Sequence, residues 1–201
     1  PWAVGHPLSE GCLGNREMLK GYFAAVTAMD LEIGRLLDRL EEKGLREQTL
    51  VVFTSDNGFS CGQHGFWGKG NGTYPPNMYE NSVKVPFVIS QPGAIEQGVV
   101  QREMVSAYDF MPTLLDYAGL PLPTGRNLPG QSFAPLLRGQ GLGRDEVVVY
   151  DEYGGTRMLR TREWKYVHRY PDGPCELYDL VNAPDERVNL SLVHISEPTR
   201  Q

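Results

Sequence analysis

The sequence predicts an α/β fold in which a mostly parallel sheet, present in part, is followed by a small C-terminal antiparallel sheet. Three observations predict it. A long run with helical apolar spacing leads directly into a β-branched run. A second short apolar run returns one loop later. From Val147 onward the period shortens to that of closely spaced strands.

Over residues 16–43, apolar side chains fall at Leu19, Tyr22, Phe23, Val26, Met29, Ile33, Leu36, Leu37 and Leu40. That spacing keeps one face of a 3.6-residue helix apolar, and Gly44 suits the left-handed position past its end. Residues 49–54 are apolar on both parities, as in a strand covered on both faces of a parallel sheet. Helix and strand together read as half of a βαβ unit. Residues 85–90 form a second short strand, with Pro86 tolerated near its first residue. Asp109 is placed to cap a helix over residues 110–118, with Pro112 in its first turn and Gly119 just past its end. Pro and Gly crowd residues 121–143, read as a surface connection with a short helix near 133–137. Residues 147–150, 157–161, 164–170 and 176–180 then form an antiparallel set. Residues 164–170 alternate bulky with polar, so one strand face is buried and the other wet.

The chain has 201 residues and a formal net charge of −6, so it carries no broad positive field for nucleic acid or an anionic membrane. No apolar run is long enough to span a bilayer. Pro1-Trp2-Ala3 has neither an initiator Met nor the regions of a signal peptide, and the natural N-terminus is expected to lie further upstream. Cys12, Cys61 and Cys175 are odd in number and widely spaced, giving neither a disulfide framework nor a zinc pattern.

The chemistry gathers between Thr49 and Pro86. A strand stops on Asp56-Asn57-Gly58, and His64 and Lys69 follow within one loop, where ligands of α/β enzymes collect outside the carboxyl ends of strands. Asp56 and Asn57 offer adjacent hard oxygen donors for Ca²⁺ or Mg²⁺; the same tripeptide is also good turn chemistry. Lys69, between Gly68 and Gly70, can present a point charge to a tetrahedral oxyanion or stand as a solvated loop lysine. His64, flanked by Gly62 and Gly65 at two and one residues' distance, can bond that anion, move a proton near neutral pH, or make a structural hydrogen bond within the loop. Phe66 and Trp67 anchor the loop by burial, and Glu80 supports either Lys69 or the metal shell. His6, His168 and His194 have no companions at catalytic spacing.

Taken together, Thr54-Ser55-Asp56-Asn57-Gly58, Gly62-Gln63-His64-Gly65-Phe66-Trp67-Gly68-Lys69-Gly70, Met78-Tyr79-Glu80 and Val85-Pro86-Phe87 resemble the type I sulfatase family of the alkaline-phosphatase-like superfamily. Residues 22–30, the segment Asp109-Phe110-Met111-Pro112-Thr113-Leu114-Leu115, and the closing Glu176-Leu177-Tyr178-Asp179-Leu180 with Asp185-Glu186 and Asn189-Leu190 are similar to the same family. The resemblance implies an alkaline-phosphatase-like fold. Residues 1–143 would be the C-terminal part of the catalytic domain, 144–190 a small antiparallel subdomain, and 191–201 a tail outside the native fold. It further implies that Asp56 and Asn57 are two ligands of a Ca²⁺ site, with Mg²⁺ as the alternative, that Lys69 binds sulfate oxygens, and that His64 stands on the substrate side. The expected substrate is a sulfated small molecule or carbohydrate, with no nucleic acid and no membrane insertion, and the implied compartment is periplasmic or secreted.

In that family a cysteine in Cys-X-Pro/Ala-X-Arg becomes the formylglycine nucleophile. Here Cys12-Leu13-Gly14-Asn15-Arg16 has Gly where Pro or Ala is required, and neither Cys61 nor Cys175 begins the motif. The expectation is therefore a sulfatase fragment, inactive alone, with formylglycine in a missing N-terminal part. Two alternatives stand beside it: a phosphodiesterase or phosphonate monoester hydrolase of the same superfamily, and a non-catalytic binding module.

Overall fold

The computed structural model describes residues 4–5, 12–125, 127–171 and 173–192. His6, His194 and the tail from residue 193 onward lie outside the described residues. A short strand β1 (Val4–Gly5) precedes α1 (Arg16–Glu42). The helix starts where the Asn15 side chain accepts hydrogen bonds from the Glu17 and Met18 N–H groups, at 3.1 and 3.2 Å. It stops at Gly44, whose φ of 64° lets its N–H turn back to the Glu41 carbonyl. The predicted amphipathic face forms, yet no residue of α1 is buried. Tyr22, stacked on Phe59 at 5.5 Å, ties the helix to the loop that follows β2.

Next come β2 (Val51–Thr54), the hairpin strands β3 (Ser60–Cys61) and β4 (Trp67–Gly68), then β5 (Thr73–Tyr74), α2 (Glu80–Val83) and β6 (Phe87–Ser90). β2 pairs with β6, and Thr54 lies opposite Phe87. The pairing is antiparallel, as are β1 with β5 and β3 with β4. The α/β class holds, but the parallel pairing expected within it does not occur among the described strands. An apolar run on both parities reports apolar surroundings on both faces and is silent about strand direction.

After β6 come α3 (Phe110–Tyr117) and α4 (Ala134–Leu137). Asp109 does not cap α3 with its side chain. Its carboxylate caps the preceding 3-10 turn by accepting from Ser106 N–H, and it also accepts from Gln131 N–H and from the Arg144 guanidinium. Burial alone would raise its pKa, but these hydrogen bonds hold it below the usual carboxylate range.

The last sheet runs in the order β10-β9-β8-β7 from β7 (Val147–Tyr150), β8 (Thr156–Arg160), β9 (Trp164–Arg169) and β10 (Glu176–Asp179), all antiparallel. The alternation read from the sequence is present. The buried face, however, carries Lys165, Val167 and Arg169, while Trp164 and Tyr166 on the same strand are exposed. The core lies between that inner face and the segment running from β4 to α2. Met78, Met158 and Val167 form one buried cluster, backed by Val83 and Val149. Phe66, Tyr79 and Tyr178 form another, backed by Leu180. Each fully buried side chain of this size contributes about 1.5–3 kcal/mol, so the C-terminal sheet and the preceding loop hold each other in place.

Candidate functional site

The site loop starts where β2 ends. Asp56 is exposed and Asn57 half-buried, and the turn between them is set by the Ser55 hydroxyl, which donates to the Asn57 carbonyl at 2.7 Å. Gly58 N–H then donates to the Ser82 carbonyl at 2.9 Å. At Gly58 a Cβ would stand 2.1 Å from the Asn81 carbonyl oxygen, so only glycine lets the loop approach α2 this closely. The Asn81 side-chain N–H group donates to the Ser60 hydroxyl, a second tie between β3 and α2.

Lys69 lies between β4 and a 3-10 turn over Gly70–Gly72, exposed to solvent. Its backbone is fixed on both sides. Gly72 N–H donates to its carbonyl at 2.7 Å, and the Gly70 carbonyl accepts from both the backbone and the side chain of Asn77, at 2.9 and 3.1 Å. Asn77 is buried, donates to Thr73 Oγ1 at 3.0 Å and accepts from the Ser82 hydroxyl at 2.7 Å. Every polar group of this amide is thereby satisfied, so the turn that carries the ammonium is rigid while the ammonium itself faces solvent.

His64 adopts a left-handed φ of 57° between two glycines of positive φ, Gly62 and Gly65. Its ring lies parallel to the Tyr79 ring at 3.7 Å between centroids. Burial, followed by the positive charge of Arg187, pushes its pKa below the usual histidine value. The imidazole is thus held neutral near pH 7, able to donate at one nitrogen and accept at the other. Its surroundings are a cleft of about 870 Å³ lined by residues 62–65, 79–81 and 184–187 with Tyr178 and Asn189. Asp56, Asn57 and Lys69 do not line that cleft. The four predicted residues share one loop, tied down at Gly58, Ser60 and Gly70, but the structure groups His64 with the C-terminal segment.

As a metal site, Asp56 and Asn57 fit part of a shell. Ca²⁺ takes about six to eight oxygen ligands, and these two supply adjacent hard donors. Among the described residues no group of three or more His, Cys, Asp or Glu converges to complete it.

Sequence reasoning missed the charged cluster that supports the loop from beneath. Lys165, fully buried, donates to Glu80 at 2.8 Å, to Glu186 at 2.6 Å and to the Met78 carbonyl at 2.9 Å. Glu186 also accepts from Glu80 N–H at 2.6 Å, and Arg160 pairs with Glu80 at 3.1 Å. Beside it Arg169 pairs with Glu176, donates to the Pro76 carbonyl at 2.8 Å, and Glu176 accepts from the Tyr178 hydroxyl at 2.7 Å. Burial would raise the Glu80 pKa, but the Lys165 and Arg160 charges and hydrogen bonds bring it below the ordinary value. Glu186, more deeply buried, is shifted upward by desolvation despite the same lysine. Glu80 is therefore the structural support predicted, though its cations are Lys165 and Arg160, and Lys69 is not among its partners. Parity puts Lys165, Val167 and Arg169 on one strand face, but nothing local in the sequence signals that Glu80, Glu176 and Glu186 meet them there.

The chain matches the model of the family described as Sulfatase over residues 6–120. It is 33% identical over 187 residues to the N-acetylglucosamine-6-O-sulfatase of Bacteroides thetaiotaomicron, an alignment covering 87% of this chain and 32% of that protein. Among solved structures it is similar to BT4656 in complex with its substrate D-glucosamine-2-N,6-O-disulfate, with a TM-score of 0.69, 35% identity, and coverage of 84% of this chain and 35% of the other. The phosphonate monoester hydrolase SpPMH from Silicibacter pomeroyi is similar at a TM-score of 0.61 and 28% identity, covering 75% and 32%. The chain spans about a third of the length of the curated relatives it matches.

Proposed function

Because this chain belongs to the sulfatase family, we propose that it is the C-terminal portion of a sulfuric ester hydrolase acting on a sulfated carbohydrate. Residues 1–143 would complete the catalytic domain and 144–190 would form a supporting antiparallel subdomain. The observation that carries the reading is the rigid loop from Asp56 to Ser82, which presents a carboxylate, an amide oxygen and an ammonium in the spacing of the family motif. Identity to an N-acetylglucosamine-6-O-sulfatase supports the substrate class.

In this reading Asp56 and Asn57 hold two positions of a Ca²⁺ shell, with Mg²⁺ the alternative. The cation, when bound, supplies Lewis-acid stabilisation of charge on a sulfate oxygen. Lys69 binds the sulfate oxygens as a point charge, and its backbone, locked by Asn77, spares the reaction the cost of ordering it. His64, held neutral, hydrogen-bonds the substrate side. The nucleophile is expected outside these residues, as formylglycine, since Cys12, Cys61 and Cys175 do not begin the motif that forms it. A periplasmic or secreted compartment accompanies the reading. No helix among the described residues is long and apolar enough to cross a membrane.

The experiment is an assay of the complete enzyme encoded with this chain on 6-O-sulfated glucosamine and on a phosphonate monoester. Sulfate turnover that falls about 10²–10³-fold in Lys69→Ala is the expected result. Turnover of the phosphonate ester alone would move the assignment to phosphonate hydrolysis, the second reading favoured by the similarity to SpPMH. Sulfate ester hydrolysis by the isolated 201-residue chain would overturn the placement of the nucleophile outside it.

A further inference from the structure

The cleft beside His64 is more heavily built than a gap between loops requires. Among the described residues two non-glycine positions have positive φ, His64 at 57° and Glu186 at 54°, and both line it. Such backbone costs about 1–3 kcal/mol per residue and persists where the surrounding structure enforces it, most often at ligand sites. Glu186 is enforced by Lys165 and by Glu80 N–H, and His64 by its stack on Tyr79. Asn81, also in the lining, spends its N–H group on Ser60 and leaves its buried Oδ1 without a hydrogen-bond partner. An unsatisfied buried acceptor costs about 1–3 kcal/mol, a further strained feature of this lining. The volume of about 870 Å³ falls in the range of small-molecule sites.

The charges facing the cleft decide what it can hold. Glu80 and Glu186 are committed to Lys165 and Arg160 beneath it. Among the described residues Arg187 is paired only with Asp185, at 2.8 Å, and its side chain is 81% exposed. A pair that open contributes at most about 1 kcal/mol, so the guanidinium can exchange Asp185 for a ligand oxyanion at little cost and bind it bidentately. The half-buried His64 ring, stacked on the buried Tyr79, supplies apolar surface for a sugar.

Resting on the sulfated-carbohydrate reading, we infer that this cleft is a saccharide subsite for a sugar carrying a second anionic substituent, with Arg187 binding that anion. Arg187 is thereby a specificity-determining residue, distinct from Lys69, which serves the sulfate to be cleaved.

The test is an NMR titration of the ¹⁵N-labelled 201-residue chain with two probes, D-glucosamine-2-N,6-O-disulfate and D-glucosamine-6-O-sulfate. The disulfate is expected to bind about tenfold more tightly, the worth of one charge-assisted hydrogen bond, with amide shifts at His64, Asn81 and Arg187. Arg187→Gln should erase that preference. Lys69→Ala should weaken both probes by the same factor and leave the preference intact. An unchanged preference in Arg187→Gln, with both probes still bound, overturns the subsite alone. Failure of either probe to bind the wild-type chain saturably overturns the subsite, while the sulfated-carbohydrate reading stands or falls on the turnover assay of the complete enzyme.

Discussion

At the residue scale, His64 shows how one side chain can be visible in sequence and still be misjudged in its surroundings. Its place between glycines was legible, because only a loop that bends sharply needs Gly62 and Gly65 about a histidine. Its partner was not, because Tyr79 lies 15 positions further on and nothing local announces a ring stack at 3.7 Å. That Asp56, Asn57 and Lys69 share one loop was easier to read, since their spacing along the chain carries it. The His64 environment has a measurable consequence. In the folded chain its pKa lies below the ordinary 6.5, with burial the main cause and Arg187 next. As pH falls through 6.5 the unfolded chain takes up a proton that the folded chain refuses, so stability declines until the folded value is passed. Glu80 and Asp109, both held below the ordinary carboxylate values of 4.5 and 3.8, act at lower pH: their stabilisation is complete above those values and is lost as pH drops through the folded ones. Glu186, shifted upward, acts oppositely between 4.5 and its folded value. Urea unfolding of the wild type from pH 7 to 5.5 should therefore show a decline that His64→Asn flattens, asparagine being chosen because it tolerates the left-handed backbone.

At the scale of elements, β9 is the informative case. Period-two alternation fixes which residues share a face, and it did so correctly for Trp164–Arg169. It does not say which face is inside when one is aromatic and the other charged. Hydropathy favours burying Trp164 and Tyr166; the chain buries Lys165 and Arg169, because Glu80, Glu176 and Glu186 arrive from three other segments to neutralise them. That matching is a tertiary property, invisible to any window of sequence shorter than the distance from Glu80 to Lys165. Breaking such a cluster is costly even where building it contributes little net stability. Lys165→Met should lose about 3–5 kcal/mol in chemical denaturation, having left the buried Glu186 carboxylate without its cation. Glu186→Leu made together with it should recover part of that loss, so the double variant should be more stable than the sum of the two single changes predicts. Strict additivity would show that the ammonium and the carboxylate are not energetically coupled.

At the scale of the whole molecule, the described residues form a well-packed unit around the site loop and an unpacked one along α1. The helix was among the clearest features of the sequence, with nine apolar positions on one face, yet Phe23 and Leu36 of that face are 59% and 58% exposed. Amphipathic spacing predicts that a face wants cover and cannot tell whether the cover is within reach. Replacing both residues by serine should change the unfolding free energy of the 201-residue chain by about 0.5 kcal/mol or less, whereas Val167→Ala, in the shielded interior of β9, should cost about 0.5–1.5 kcal/mol or more. Calorimetric melting of the two variants side by side distinguishes them. The buried cations of β9 bear on something wider. A sheet whose inner face is apolar can be grafted beneath almost any greasy surface, but this one is keyed: Lys165 and Arg169 accept only a loop that brings Glu80 and the carbonyls of Met78 and Pro76 into register. Chimeras that exchange residues 147–192 among sulfatases should therefore fold best when the segment from Pro76 to Val83 travels with them, and should otherwise leave Lys165 short of Glu80 and the Met78 carbonyl and Arg169 short of the Pro76 carbonyl in a dry interface.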